Sequence, residues 1–149
     1  MKNGKLMIES LAGICITIIG YLYFQGRMES YYDLMGTDLT LPMTILPFLF
    51  FMPAYIAGRW IFHYVVYSAH EKAIRALFII QVIILCMYLA VGIFYMLMKS
   101  TGLWPMNGFM QAGYAYFIMF GSSKIGSAIF VFLGVLFAFT MSIKYRSVP

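Results

Sequence analysis

Residues 76–98 read ALFIIQVIILCMYLAVGIFYMLM, 23 consecutive positions without a charge. A helix of about 20 apolar residues crosses the ~30 Å hydrocarbon core of a bilayer. This run is long enough, and its one carboxamide is Gln81. Working outward, three more runs of similar character occupy roughly 6–24, 41–66 and 125–143. Backbone polar groups find no water in lipid, so such runs are expected to be helices. Alternation of the barrel kind is not apparent. The sequence therefore predicts an all-α integral membrane bundle of four transmembrane helices, forming a single polytopic domain over residues 1–149.

Composition points the same way. Of 149 residues, 63% are hydrophobic and 10% charged, whereas a soluble domain carries roughly 25% charged residues. A polar skin cannot be assembled from this chain, and lipid must cover much of it. The formal net charge is +5, but the basic residues are scattered singly and form no stripe. That excludes a nucleic-acid partner and reads as topological flanking. Cys15 and Cys86 fall inside apolar runs and are read as small packing residues, since no CxxC or zinc spacing is present. The opening Met1-Lys2-Asn3-Gly4-Lys5 before an apolar run has the form of a signal peptide's first half. Tyr21-Leu22-Tyr23-Phe24 follows where a small-x-small cleavage site would stand, so a retained first span is expected.

The flanking charges set an orientation. Placing both termini and the 67–75 connection in the cytoplasm puts Lys2, Lys5, Lys72, Arg75, Lys144 and Arg146 inside and Arg27, Lys99 and Lys124 outside. The acids of the 25–40 connection, Glu29, Asp33 and Asp38, then lie outside. The expected location is the cell inner (cytoplasmic) membrane. The stretch 103–120 is apolar and aromatic, but Pro105, Gly108 and Gly113 interrupt it. A fifth span there would carry Lys144 and Arg146 outside. An interfacial or re-entrant segment is expected instead, with Trp104, Tyr114 and Tyr116 at headgroup level.

Few residues could carry chemistry. Arg59, His63, Tyr67 and Glu71 recur every fourth position, which predicts one helical stripe with His70 at its edge. Ionisable groups at membrane depth are costly and mark pathways or partners. The plainer reading has Arg59 snorkelling to the interface and both histidines in the headgroup layer. Glu9, about one turn inside the first span, could pair with Arg59 or Lys5 as a structural tie, or act as an ion-coupled carboxylate. Two histidines and one glutamate without a third strong ligand make no zinc site. No metal or other cofactor is expected. No phosphate loop, GxSxG or Ser–His–Asp set occurs, which argues against an enzyme.

Small residues predict packing faces, because lipid supplies no hydrophobic drive between helices. Ser10, Gly13, Thr17 and Gly20 share a face of the first span. Ser127, Gly134 and Ala138 share one on the last, with a small-xxx-small step from Gly134 to Ala138. On the third span Gln81, Leu85, Tyr88, Gly92 and Tyr95 line up, and Gln81 and Tyr88 could bond across helices. Pro42, Pro47 and Pro53 predict a second span curved around its neighbours.

Three functions compete. The first is a non-enzymatic interaction protein: an accessory subunit, a regulator, or an immunity or entry-exclusion factor. In size and four-span layout the chain is similar to small polytopic immunity and exclusion proteins, in architecture alone. Its partners would be membrane lipid and another membrane protein, or itself as a homo-oligomer. Its recognition surfaces would be Glu29, Asp33, Asp38 and the aromatic segment around Trp104. The second is a small oligomeric transporter or channel using Glu9, Arg59 and His63. The third is a lipid-modifying enzyme using the Arg59–Glu71 stripe.

Overall fold

A computed structural model describes the backbone of residues 2–34, 39–63, 71–102 and 108–146, and the side chains of 4–28, 39–63, 72–102 and 108–143. The elements are α1 (Lys2–Leu34), α2 (Thr40–His63), α3 (Glu71–Ser100), α4 (Gly108–Ser122) and α5 (Lys124–Arg146). Helices α1, α2, α3 and α5 hold four stretches long and apolar enough to cross a membrane, at 4–28, 40–63, 72–100 and 124–143. The protein is a four-span helical membrane bundle.

Helix α1 outruns its expected span. It continues through 25–34, where a connection was expected, to a length of 33 residues, ~50 Å. The end of an apolar run marks where a helix leaves lipid, not where it stops. Gln25, Arg27 and Met28 are good helix formers, and no proline follows before Pro42. Helix α3 ends on a left-handed glycine. Gly102 has φ of 71°, and its amide donates to the Lys99 carbonyl at 3.3 Å, the usual way to close a helix C-terminus.

Contacts between distant residues fix the directions. Phe48 meets Phe130 with ring centroids 5.2 Å apart, Tyr55 meets Phe137 at 5.7 Å, and Arg59 bonds Ser142. Residue numbers rise together, so α2 and α5 run parallel. Helix α3 runs opposite to α5: Phe78 packs on Phe137 at 5.2 Å and Tyr88 on Phe130 at 5.0 Å. Glu9, Arg59 and Ser142 meet at one end, called here the terminal end. The beginning of α1 and the end of α5 both lie there.

This arrangement decides where the described part of 103–120, which lies in α4, sits. Helix α3 finishes at the far end and α5 starts there, so α4 does not cross. Its 15 residues, ~22 Å, fall short of a bilayer. Its neighbours are the opening turns of α2 and the last four turns of α3. Tyr114 hydroxyl bonds Thr40 Oγ1 at 3.0 Å and accepts from Lys99 Nζ at 2.8 Å. Phe117 stacks beside Tyr88 at 5.2 Å. Ser123 separates α4 from α5 as an N-cap: its Oγ accepts from the Gly126 amide at 2.8 Å, answering a donor that the new helix would leave open.

Helices α2 and α5 form the core. Phe51, Phe130 and Leu133 are buried at its centre, with Phe48, Leu85, Tyr88 and Phe137 packed around them. Ala54 and Gly58 on α2 face Gly134 and Ala138 on α5. A Cβ on Gly58 would lie 2.7 Å from Ala138 Cβ, and one on Gly134 would lie 2.5 Å from the Phe51 carbonyl oxygen. Two small-xxx-small steps thus lie against each other and bring the backbones close. By contrast, Ile8, Leu11 and Ile19 on α1 and Ile79, Ile83 and Met87 on α3 are exposed, as lipid-facing positions should be. Cys15 and Cys86 are exposed too, which corrects the expectation that they pack inside.

Candidate functional site

The polar knot at the terminal end is the chief concentration of chemistry among the described residues. Tyr55 and Arg59 stand one helical turn apart on α2 and so project from one face. Helix α1 brings Glu9 to that face, and α5 brings Ser142. Arg59 uses all three of its nitrogens. Nε donates to Glu9 Oε1 at 3.3 Å, Nη2 to Glu9 Oε2 at 3.2 Å, and Nη1 to Ser142 Oγ at 2.9 Å. The Tyr55 hydroxyl donates to Glu9 Oε1 as well. One residue on, Trp60 Nε1 donates to Ser10 Oγ at 2.9 Å, and Ser10 Oγ donates to the Leu6 carbonyl at 2.8 Å.

The Arg59 side chain is 11% exposed and that of Glu9 31%. A guanidinium alone at that burial would be expensive. The two-point pair makes the knot neutral, and the extra bonds from Tyr55 and to Ser142 answer groups that pairing leaves over. The arrangement fastens α1, α2 and α5 to one another and places a carboxylate between a phenol and a guanidinium.

The remaining expected site residues are distributed as follows. Glu9 takes Arg59 as partner, while Lys5 is exposed. His63 is half-buried in the last turn of α2. Glu71 opens α3, which returns through the bundle. The predicted stripe from Arg59 to Glu71 therefore does not ride on one helix, because the chain reverses between them. Tyr67, His70, Asp38 and Trp104 lie outside the described residues, as do the side chains of Glu29, Asp33 and Glu71. Among the described residues, no group of three His, Cys, Asp or Glu could hold a metal.

The small residues turn inward. Cβ atoms built on Gly13 and Gly20 would lie 2.7 Å from Ile56 Cδ1 and 2.6 Å from Leu49 Cδ2, so this face of α1 packs on α2. Thr17 Oγ1 on the same face donates to the Gly13 carbonyl at 2.8 Å. Gly92 lies against Thr44, and Gly134 and Ala138 lie against α2. Gln81 is buried at 1% exposure. Tyr88 donates from its hydroxyl to the Met43 carbonyl at 2.9 Å.

Sequence reasoning missed Tyr55 and Ser142, because a hydroxyl within a span is commonplace and carries no partner signal. The Ala54–Gly58 step was within reach of the same spacing rule that picked out Gly134–Ala138. The chain matches no family model, no curated protein and no solved structure. Fold and site together define a multi-pass membrane bundle whose charged residues at depth close on one another.

Proposed function

We propose that this chain is a small, non-enzymatic protein of the cell inner membrane, with both termini cytoplasmic, that acts by docking onto another membrane protein. Accessory subunit, regulator, and immunity or entry-exclusion factor are the roles within that class. The observation that carries the reading is that the three nitrogens of Arg59 are engaged by Glu9 and Ser142. Those groups build the bundle and are not offered to a substrate. The small-residue faces are likewise consumed between helices. Among the outward residues at the far end is an aromatic face on α4, where Phe109 is 87% exposed and Tyr116 and Met119 are also exposed. A partner's apolar transmembrane surface fits that face, with lipid covering the rest.

A small oligomeric transporter or channel is the second reading. The buried carboxamide of Gln81 favours it, because a polar group so placed is costly unless used. The two readings separate in two measurements. A photo-crosslinking residue at Tyr116 should give a discrete adduct with one membrane protein in cells, while one at Ile83 gives lipid adducts only. Purified protein in liposomes should move no solute or ion. Unaided flux that Glu9→Gln abolishes would overturn the docking reading and establish the second.

A further inference from the structure

Gln81 lies on the face of α3 that meets α5. Three residues before it, Phe78 packs on Phe137; four residues after it, Leu85 packs on the core of Phe51, Phe130 and Leu133. The position is about 8 Å along the helix from Ala76, where the uncharged run begins. At 1% exposure it is out of reach of solvent and lipid headgroups. Neither its carboxamide oxygen nor its nitrogen has a hydrogen-bond partner among the described residues.

A carboxamide offers two donors and two acceptor lone pairs. On its own helix face the adjacent positions, Phe78 and Leu85, supply a ring and methyl groups. A single group that satisfies both atoms must accept and donate and be small enough to sit between packed helices. Backbone carbonyls of the facing helix keep a second lone pair after their own helical bonds, so they can receive a further donor. Water meets every one of these conditions, and buried polar groups in proteins are commonly answered this way.

We propose that Gln81 is an internal hydration site, holding ordered water in the interface of α3 with the α2–α5 core. The water accepts from Nε2 or donates to Oε1 and bonds onward to backbone. The site stands whichever reading of the whole protein's function holds, since it depends on the burial and chemistry of one side chain.

Solid-state NMR of the full chain in deuterated lipid bilayers tests this. Magnetisation transferred from water should reach the Gln81 side-chain nitrogen several-fold faster than the methyls of lipid-facing Ile83, and its protons should exchange in D2O. A carboxamide as dry as Ile83 overturns the proposal. So does a signal that depends on protein-to-lipid ratio, which would mean a second copy answers the amide. As an independent arm, hydroxyl radicals generated from bound water by X-ray pulses should label Leu85 or Phe78, and Gln81→Leu should lower that labelling several-fold. Undiminished labelling in the folded variant would place the water elsewhere and refute the assignment.

Discussion

The hydroxyl of Tyr88 donates to the carbonyl of Met43 at 2.9 Å, and that carbonyl is the one Pro47 deprives of its helical donor. Proline at position i removes the bond to i−4, and Met43 stands four residues before Pro47. A side chain from α3 thus completes the backbone of α2. Tyr88→Phe should cost about 1 kcal/mol, within the ~0.6–2 kcal/mol range of interhelical bonds in membranes. In a Pro47→Ala background the restored amide should reduce that cost by half or more. Unfolding in mixed micelles, followed by circular dichroism, measures both; equal costs in the two backgrounds would break the link.

The Glu9–Arg59 pair should behave as a coupled unit. Arg59→Met removes the cation and leaves a partly buried carboxylate beside Tyr55, so a loss of roughly 2–4 kcal/mol is expected. Adding Glu9→Gln removes the stranded charge and should recover at least about 1 kcal/mol. The double variant is therefore expected to be more stable than Arg59→Met alone. Simple additivity of the two losses would show that the residues do not depend on each other.

Glycines in the bundle should separate into two groups according to what a methyl would strike. At Gly134 it meets the Phe51 carbonyl oxygen at 2.5 Å, a backbone atom that cannot step aside; at Gly20 it meets the Leu49 side-chain tip at 2.6 Å, which can rotate. Gly134→Ala should cost ~1–3 kcal/mol through forced separation of α2 and α5. Gly20→Ala should be near neutral, since Ala gains up to about 1 kcal/mol of helix propensity over Gly. Thermal unfolding of the two variants side by side reads the difference. A more damaging Gly20→Ala would contradict this order.

Single cysteines in a cysteine-free background report sidedness. Cysteines at Asn3 and Val148 should react with an impermeant maleimide from the same face of the membrane, the cytoplasmic one, and a cysteine at Gly102 from the opposite face. Labelling of Asn3 and Val148 from opposite faces would refute both the four-span architecture and the placement of α4.

Much of the architecture was legible because lipid imposes a simple requirement. A run such as 76–98 has few other places to be, and four such runs gave four spans. Charge bookkeeping across the loops, with Lys144 and Arg146 as the deciding residues, led to the expectation that 103–120 does not cross; of that stretch, α4 lies at the far end. The candidate pairing of Glu9 with Arg59 could be named because both are scarce ions near the same end of neighbouring helices. The residues that complete the knot could not be named. Tyr55 and Ser142 are hydroxyls among many, and only the mutual rotation of α2 and α5 selects them. The extension of α1 to Leu34 was hidden for another reason: hydropathy reports the solvent a segment prefers, and a helix can pass from lipid into water without a break. The stripe from Arg59 to Glu71 failed because periodicity was read across a reversal of the chain.

The parallel packing of α2 against α5 also sets an order of assembly. Arg59 can meet Glu9 as soon as the first two helices are in the membrane, since fifty positions separate them. Its bond to Ser142 joins positions 83 apart, and Gly58 reaches Ala138 across a similar gap. The tightest interface therefore waits for the last helix to leave the ribosome. Until then α2 must reside in the bilayer with its Ala54–Gly58 face uncovered, a half-built protein whose exposed seam is what membrane quality control or an insertion chaperone would encounter first.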